Sequence, residues 1–223
     1  MMHKTIYQTW YKKQLPETIQ KSVDLMLQLN PEYSYELSDD EDMKKFITDN
    51  FDERIQEAFN SLKVGAAKAD LWRYLILFKN GGVYLDVDSV IYSPLKTLIT
   101  DDCAVITREK NPGKFVQWCL MFPAGHPILK ICIDKCVTNI LDKKINDILE
   151  LTGPVVYSQS IKEYFGDDNI YYRTDEFING YKDKTKVKMY SWDYEGYALF
   201  THPDKHLLYT NKPHWRDEKE QFI

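Results

Sequence analysis

The residues best suited to chemistry are two aspartates, Asp86 and Asp88, at the end of the segment GGVYLDVD (residues 81–88). Alternate side chains of a strand share a face, so we expect both carboxylates to point the same way. Two carboxylates so close together repel each other unless a cation lies between them or one of them is protonated. Hard oxygen ligands favour Mg²⁺ or Mn²⁺. The spacing therefore predicts a divalent-cation site at these two residues.

A long apolar helix precedes this segment and is expected to bring further polar residues to it. Residues 66–79 follow a helical pattern, and the Asn-Gly-Gly sequence at 80–82 ends it with residues that favour a tight turn. The helix rises about 20 Å, at about 1.5 Å per residue, and the following strand returns a similar distance. Asp70 and Arg73, one turn apart near the helix start, should therefore lie close to the two aspartates.

This group of residues suits a ligand that carries several negative charges. Open α/β sheets bind ligands at the carboxyl ends of their strands. A divalent cation together with Arg73 would attract a diphosphate, while Asp70 would accept hydrogen bonds from sugar hydroxyls. Trp10 follows Gln8 and Thr9 at the carboxyl end of the first predicted strand, and it would stack on a base or a sugar at the same rim.

The elements that position these residues alternate between strands and helices. We predict strands at residues 5–7, 33–37 and 104–107, and helices that begin at Pro16-Glu17 and at the cap Ser38-Asp39. This alternation is typical of an α/β fold with parallel strands. Because neither a repeat nor a linker is visible, we expect one domain over residues 1–223.

Composition excludes several other classes of function. Lys and Arg total 29 against 34 Asp and Glu, a net charge of −5, so a basic surface for nucleic acid is not expected. No apolar run approaches the roughly 20 residues that span a bilayer, and the start MMHKTIYQTW is too polar for a secretory signal. We expect a soluble, cytoplasmic protein without a transmembrane segment. The spacing of its four cysteines favours reduced, structural thiols.

The run AxxADLWRYLILFKNGGVYLDVD resembles the DXD sugar-transferase region of enzymes related to the yeast Golgi initiating mannosyltransferase. It is also similar to the glucosyltransferase domains of large clostridial toxins. IYQTW near the start, PAGHP (123–127) and LTGP (151–154) look like further landmarks of that family, in the expected order.

The resemblance implies a single-domain GT-A fold of the Rossmann-like α/β class, with a mixed central sheet flanked by helices. It implies a metal-dependent glycosyltransferase that moves a hexose from a UDP- or GDP-sugar, with retention at the anomeric carbon. The donor-binding part would be about 1–110. The acceptor would be a glycan, a glycolipid or a protein, bound on the side formed by about 111–223, which would also close the site. The cofactor would be Mn²⁺ or Mg²⁺.

The resemblance also implies roles for individual residues. Asp88 would bind the metal directly, and Asp86 would contact the ribose, the sugar and the metal. Asp86, Asp88 and Arg73 are the predicted catalytic residues. Asp70 and Arg73 would hold the donor sugar. Trp10, with Gln8 and Thr9 before it, would bind the nucleotide.

The carboxyl end departs from the family pattern. Relatives often close their site with a His-rich segment that ends in Ser and Trp, whereas this chain has KPHW (212–215). His214 would supply another metal ligand, and Trp215 would donate to the diphosphate. Gln117, in VQWCLMF, stands where relatives often carry an Asn that faces the substrate.

Two alternatives stay open at this point. A haloacid-dehalogenase-type phosphatase also has an apolar strand followed by DxD; Asp86 would then be its nucleophile, Asp88 its general acid, and Asp167-Asp168 its later metal ligands. A non-catalytic sugar-nucleotide-binding protein would keep the site but lack turnover, and the unusual KPHW segment motivates this second alternative.

Overall fold

The computed structural model describes residues 2–180, 185–191 and 199–201 of the 223-residue chain. The strands are β1 (Thr5–Thr9), β2 (Ser34–Ser38), β3 (Gly82–Leu85), β4 (Ser89–Ile91), β5 (Ala104–Thr107), β6 (Cys119–Phe122), β7 (Phe177–Asn179), β8 (Lys186–Tyr190) and β9 (Leu199–Thr201). The helices are α1 (Glu17–Leu29), α2 (Asp40–Asn50), α3 (Glu53–Ser61), α4 (Gly65–Asn80), α5 (Pro127–Asp142), α6 (Ile148–Leu151) and α7 (Pro154–Phe165). Within these ranges, no helix is both long and apolar enough to cross a membrane.

The described residues form a seven-stranded mixed sheet in the order β2-β1-β3-β6-β5-β8-β7. β1 runs parallel to β2 and to β3, whereas β6 runs antiparallel to both β3 and β5. β8 is parallel to β5, and the edge strand β7 is antiparallel to β8. The predicted α/β class with a mixed central sheet is confirmed. β4 leaves this sheet and pairs with β9 in a separate two-stranded ribbon.

The turn between α4 and β3 depends on two glycines. Gly81 has φ +69° and Gly82 has φ +114°, which are backbone conformations that L-amino acids with a side chain rarely adopt. A Cβ on Gly81 would lie 2.7 Å from the main-chain nitrogen of Ala124, and one on Gly82 would lie 2.7 Å from the main-chain oxygen of Thr5. The chain can therefore reverse directly from α4 into β3, beside β1.

The central strands contribute to an apolar core on each face of the sheet. Tyr7 and Tyr84 belong to the cluster formed with α4, whereas Ile6 and Val83 belong to the cluster formed with α1. α4 is buried almost all round, because the sheet lies on one side of it and α5 packs on another. Burial of each large apolar side chain contributes about 1.5–3 kcal/mol, so this packing holds α4 and β3 in one arrangement.

The strand β3 ends earlier than predicted. It stops at Leu85, and Val87 and Asp88 lie in a turn, so the prediction that Asp86 and Asp88 share one face of a strand is wrong. The physical reason is local: the main-chain oxygen of Asp86 accepts hydrogen bonds from the Ser89 nitrogen at 2.9 Å and from Ser89 Oγ at 2.5 Å. These bonds close a turn that directs the chain out of the main sheet into β4.

Other parts of the prediction are confirmed or extended by the structure. The helix start predicted at Pro16-Glu17 agrees with α1, and Asp39 caps α2 through a capping box with Asp42. α3 and β6 were not predicted. The four cysteines, all among the described residues, are buried and form no disulfide, as expected for structural thiols.

Candidate active site

Asp86 lies at the carboxyl end of β3, in the middle of the sheet. Its carboxylate Oδ1 accepts a hydrogen bond from the Tyr84 hydroxyl at 2.9 Å and forms an ion pair with Arg73 Nη2 at 3.1 Å. The main chain of Asp86 is held as well, because its nitrogen donates to the Trp118 oxygen at 2.8 Å and its oxygen accepts from Gln8 Nε2 at 3.2 Å. Its side chain remains 32% exposed, so the carboxylate is fixed and still accessible to a ligand.

Asp88 follows two residues later in the turn. It is partly exposed like Asp86, whereas Val87 between them is buried. The chain therefore presents two carboxylates to solvent at one turn, and carboxylates are ligands that suit Mg²⁺ and Mn²⁺. Among the described residues, no group of three or more His, Cys, Asp or Glu side chains is placed to hold a metal ion. The two carboxylates fit a site of the kind in which one or two acids bind Mg²⁺ and substrate phosphates complete the ligand set.

Arg73 is the centre of the charged cluster and is only 4% exposed. Its Nη2 lies 3.0 Å from Asp70 Oδ1 and 3.1 Å from Asp86 Oδ1, so one guanidinium bridges two carboxylates. Its Nε donates to the Ala69 oxygen at 3.2 Å, and its planar group lies 4.5 Å from the centre of the Tyr84 ring. Burial works to lower the pKa of Arg73, but Asp86, Tyr84 and Asp70 together raise it above its ordinary value. The guanidinium stays charged.

Asp70 is buried beside Arg73, one helical turn earlier on α4. Its Oδ1 also accepts a hydrogen bond from Gln117 Nε2 at 3.0 Å, and its Oδ2 accepts one from Thr152 Oγ1 at 3.1 Å. Burial raises the pKa of Asp70 to about 6, although the charge of Arg73 opposes the rise. Asp70 and Arg73 thus lie beside Asp86, as the predicted length of α4 and its turn require.

The sequence analysis did not predict that Gln117 and Thr152 would form hydrogen bonds to Asp70. Gln117 was compared with a residue that faces the substrate in relatives, but its side chain is buried and donates to Asp70 and to the Tyr74 hydroxyl. They lie 47 and 82 residues from Asp70 in the chain. The landmark LTGP contains Thr152, and this was the one signal that pointed to it.

The end of β1 reaches the same edge of the sheet. Gln8 is buried: its Nε2 contacts the Asp86 main chain, and its Oε1 accepts from the Tyr35 hydroxyl at 2.9 Å. Thr9 Oγ1 lies 3.4 Å from the Tyr84 hydroxyl. The half-buried Trp10 ring packs 4.9 Å from Tyr11. Gln8 and Thr9 therefore support the Asp86 region, and substrate contact by these residues and Trp10 stays a prediction.

Some predicted residues are not brought to this site or cannot be placed. His214 and Trp215 lie outside the described residues, and their roles stay predictions. Asp167 pairs with Arg173 at 2.9 Å and lines a pocket beside β7, and Asp168 is exposed. Because β6, β5 and β8 separate β3 from β7, the later metal acids of the phosphatase alternative are not assembled with Asp86.

Comparisons with known proteins agree with this geometry. Residues 16–105 match the family model described as "Glycosyltransferase sugar-binding region containing DXD motif". The chain is 26% identical to the initiation-specific alpha-1,6-mannosyltransferase of Candida albicans, over 82% of this chain and 58% of that protein. It is 32% identical to inositol phosphoceramide mannosyltransferase 3 of Schizosaccharomyces pombe, over 56% of this chain and 35% of that protein. The chain thus matches at most about three fifths of the length of these two curated relatives.

A solved structure titled "PaToxG Glycosyltransferase" has the same fold. It superposes with a TM-score of 0.54 at 24% identity, covering 73% of this chain and 69% of that one. The match supports the expected GT-A type of α/β fold. The family match includes Asp70, Arg73 and Asp86, which the two ion pairs bring together, and Asp88, which follows two residues after Asp86. Residues 16–105 are therefore similar to the DXD-containing sugar-binding region of a glycosyltransferase family, which confirms the resemblance found in the sequence.

Proposed function

We propose that the protein is a metal-dependent, retaining glycosyltransferase that moves a hexose from a nucleotide diphosphate sugar to a glycan, a glycolipid or a protein. One observation carries this proposal: Arg73 bridges Asp70 and Asp86, and the partly exposed Asp88 follows two residues after Asp86 in the chain. The names of the two fungal relatives specify mannosyl transfer. GDP-mannose is therefore the first donor to test, ahead of UDP-hexoses.

Asp86 and Asp88 would hold the divalent cation. They fit it because both are partly exposed oxygen ligands at one turn, and Asp86 is already oriented by Tyr84 and Arg73. When bound, Mn²⁺ or Mg²⁺ would neutralise negative charge on the departing diphosphate and so lower the barrier to transfer. His214 would add a ligand from the carboxyl end.

The other residues of the cluster bind and orient the donor. Arg73 compensates part of the negative charge of the acids, so that a cation and a diphosphate can share the site without an excess of either sign. Asp70 offers a fixed carboxylate acceptor to sugar hydroxyls. Trp10 would stack on the base, and Trp215 would donate to the diphosphate. Retaining transfer does not require a covalent nucleophile, and none is assigned.

Calorimetric titration with GDP and with UDP, in the presence and absence of Mn²⁺, tests the donor site. We expect one nucleotide to bind with an affinity that depends on the cation. Binding that is independent of the cation, or no binding of either nucleotide, would contradict the proposal.

A hydrolysis screen with GDP-mannose, UDP-glucose, UDP-galactose and UDP-N-acetylglucosamine separates an enzyme from a binding protein. Slow release of nucleotide without an added acceptor supports the enzyme. Tight binding of a donor with neither hydrolysis nor transfer would instead support the non-catalytic alternative.

A further inference from the structure

We propose that Gln117 and Thr152 are positioning residues that hold the Asp70 carboxylate in the orientation in which it binds the donor sugar. This inference rests on the proposed function and concerns the sugar half of the donor. Neither residue lies within residues 16–105, which match the family's sugar-binding region. Two later parts of the chain would thus complete that region.

Gln117 contacts both members of the Asp70–Arg73 pair. Its side-chain Nε2 lies 3.0 Å from Asp70 Oδ1, and its main-chain oxygen accepts a hydrogen bond from Arg73 Nη1 at 3.0 Å. The same Nε2 donates to the Tyr74 hydroxyl at 2.7 Å. Because Gln117 lies just before β6, the central sheet fixes its main chain. A shift of Gln117 would therefore move the carboxylate and the guanidinium together.

Thr152 holds the other carboxylate oxygen. It is fully buried between α6 and α7, and its Oγ1 donates to Asp70 Oδ2 at 3.1 Å. Its main-chain oxygen accepts from the Tyr74 hydroxyl at 3.2 Å. Tyr74 follows Arg73 on α4, so the same network ties Thr152 to the helix that carries Asp70.

These contacts matter because the terminal torsion of an Asp side chain has a broad energy profile. Arg73 and Gln117 engage only Oδ1, so the Thr152 hydroxyl determines where Oδ2 lies. A carboxylate must be oriented to accept hydrogen bonds from particular sugar hydroxyls, and small displacements weaken such interactions strongly. In the proposed site the cation and Arg73 attract the diphosphate, so binding of the bare nucleotide should not depend on this orientation.

The test compares binding of a nucleotide with binding of the corresponding nucleotide sugar, in two variants of Thr152. Thr152→Val removes the hydroxyl and keeps the shape of the side chain, whereas Thr152→Ser keeps the hydroxyl. Each protein is titrated by calorimetry in Mn²⁺ with GDP and GDP-mannose, and with UDP and UDP-glucose. We expect Thr152→Val to weaken binding of the nucleotide sugar by about tenfold, the effect of losing one hydrogen bond to a charged group. Binding of the bare nucleotide should stay within about twofold, and Thr152→Ser should bind both ligands like the wild type.

A second variant, Gln117→Met, keeps the length of the side chain and removes its amide. It should show the same selective loss for the nucleotide sugar, and it keeps the test decisive if Thr152→Val does not fold. Equal losses for nucleotide and nucleotide sugar, or no loss for either, would overturn the inference. If the wild type itself binds neither GDP nor UDP, the proposed function fails, which is a separate outcome.

Discussion

Arg73 and Asp86 form an ion pair of 3.1 Å that links the middle of α4 to the carboxyl end of β3. The same nitrogen of Arg73 lies 3.0 Å from Asp70 Oδ1, so one buried guanidinium pairs with two carboxylates. The two carboxylates outnumber the one guanidinium, so this group of three residues carries an excess of negative charge. An added divalent cation would balance that excess, which is the physical basis of the proposed metal site.

Replacement of Asp88 tests the metal site without disturbing the core. We expect Asp88→Asn to reduce metal-dependent donor turnover by about 100-fold or more, because an amide is a poorer ligand for a hard cation and carries no charge. Because the side chain is partly exposed, the melting temperature should change by no more than about 2 °C. Initial rates of nucleotide release in Mn²⁺ measure the effect.

The matched control for this change is Asp134→Asn, which removes a carboxylate from an exposed i, i+4 ion pair with Lys130 on α5. It should retain the wild-type rate. Full activity of Asp88→Asn in Mn²⁺ would show that the site is elsewhere.

Loss of Arg73 should destabilise the fold as well as the site. Arg73→Ala leaves two acids without their shared cation, one of them buried, and removal of one partner of a buried pair costs about 3–5 kcal/mol. Arg173→Ala is the control, since Arg173 is 51% exposed in its pair with Asp167 and should contribute less than about 1 kcal/mol. Urea denaturation measures the loss in free energy of unfolding for each variant. Equal losses would mean that Arg73 contributes no more to stability than a residue in an exposed ion pair.

The pKa of Asp70, raised from 3.8 to about 6 by burial, makes stability depend on pH. The folded protein binds this proton more tightly than the unfolded chain, so stability decreases as pH rises from about 4 to about 6. Relative to Asp70→Asn, the free energy of unfolding of the wild type should fall by about 2 kcal/mol between about pH 4 and pH 7. A difference between the two proteins that is constant with pH, or that increases with pH, would contradict the raised pKa.

The turn between α4 and β3 should tolerate no side chain at Gly82. Gly82→Ala places a Cβ 2.7 Å from the Thr5 oxygen at φ +114°, and should cost about 2–4 kcal/mol. At Gly65, the first residue of α4, an added Cβ meets nothing within 4 Å, so Gly65→Ala should be neutral or stabilising by up to about 1 kcal/mol. Denaturation midpoints of the two variants provide the comparison, and similar midpoints would refute the role of the turn.

Local sequence signals were sufficient for the elements that begin the fold. Pro16 and Asn30 mark the limits of α1, and Asp39 marks the start of α2, because capping and helix termination are determined by a few neighbouring residues. α3 was missed although Asp52 caps it through a hydrogen bond to the Ile55 nitrogen. The helix has only nine residues, and its apolar positions are few.

The site itself was only partly predictable. Asp70, Arg73 and Asp86 are brought together by one helix, one turn and one strand, and the lengths of these elements can be estimated from the sequence. Gln117 and Thr152 reach Asp70 through β6 and the segment between α6 and α7, and such long-range contacts leave no periodicity in the chain. The early end of β3 was missed because a single hydroxyl, that of Ser89, helps to close the turn.

The most direct test of the central claim is a crystal structure with donor nucleotide and Mn²⁺, in which anomalous scattering locates the cation. We predict a single strong peak about 2.0–2.3 Å from carboxylate oxygens of Asp86 and Asp88, in contact with the diphosphate. The account would be contradicted if the nucleotide were bound without an anomalous peak at these two residues, or if the peak placed the cation next to other residues.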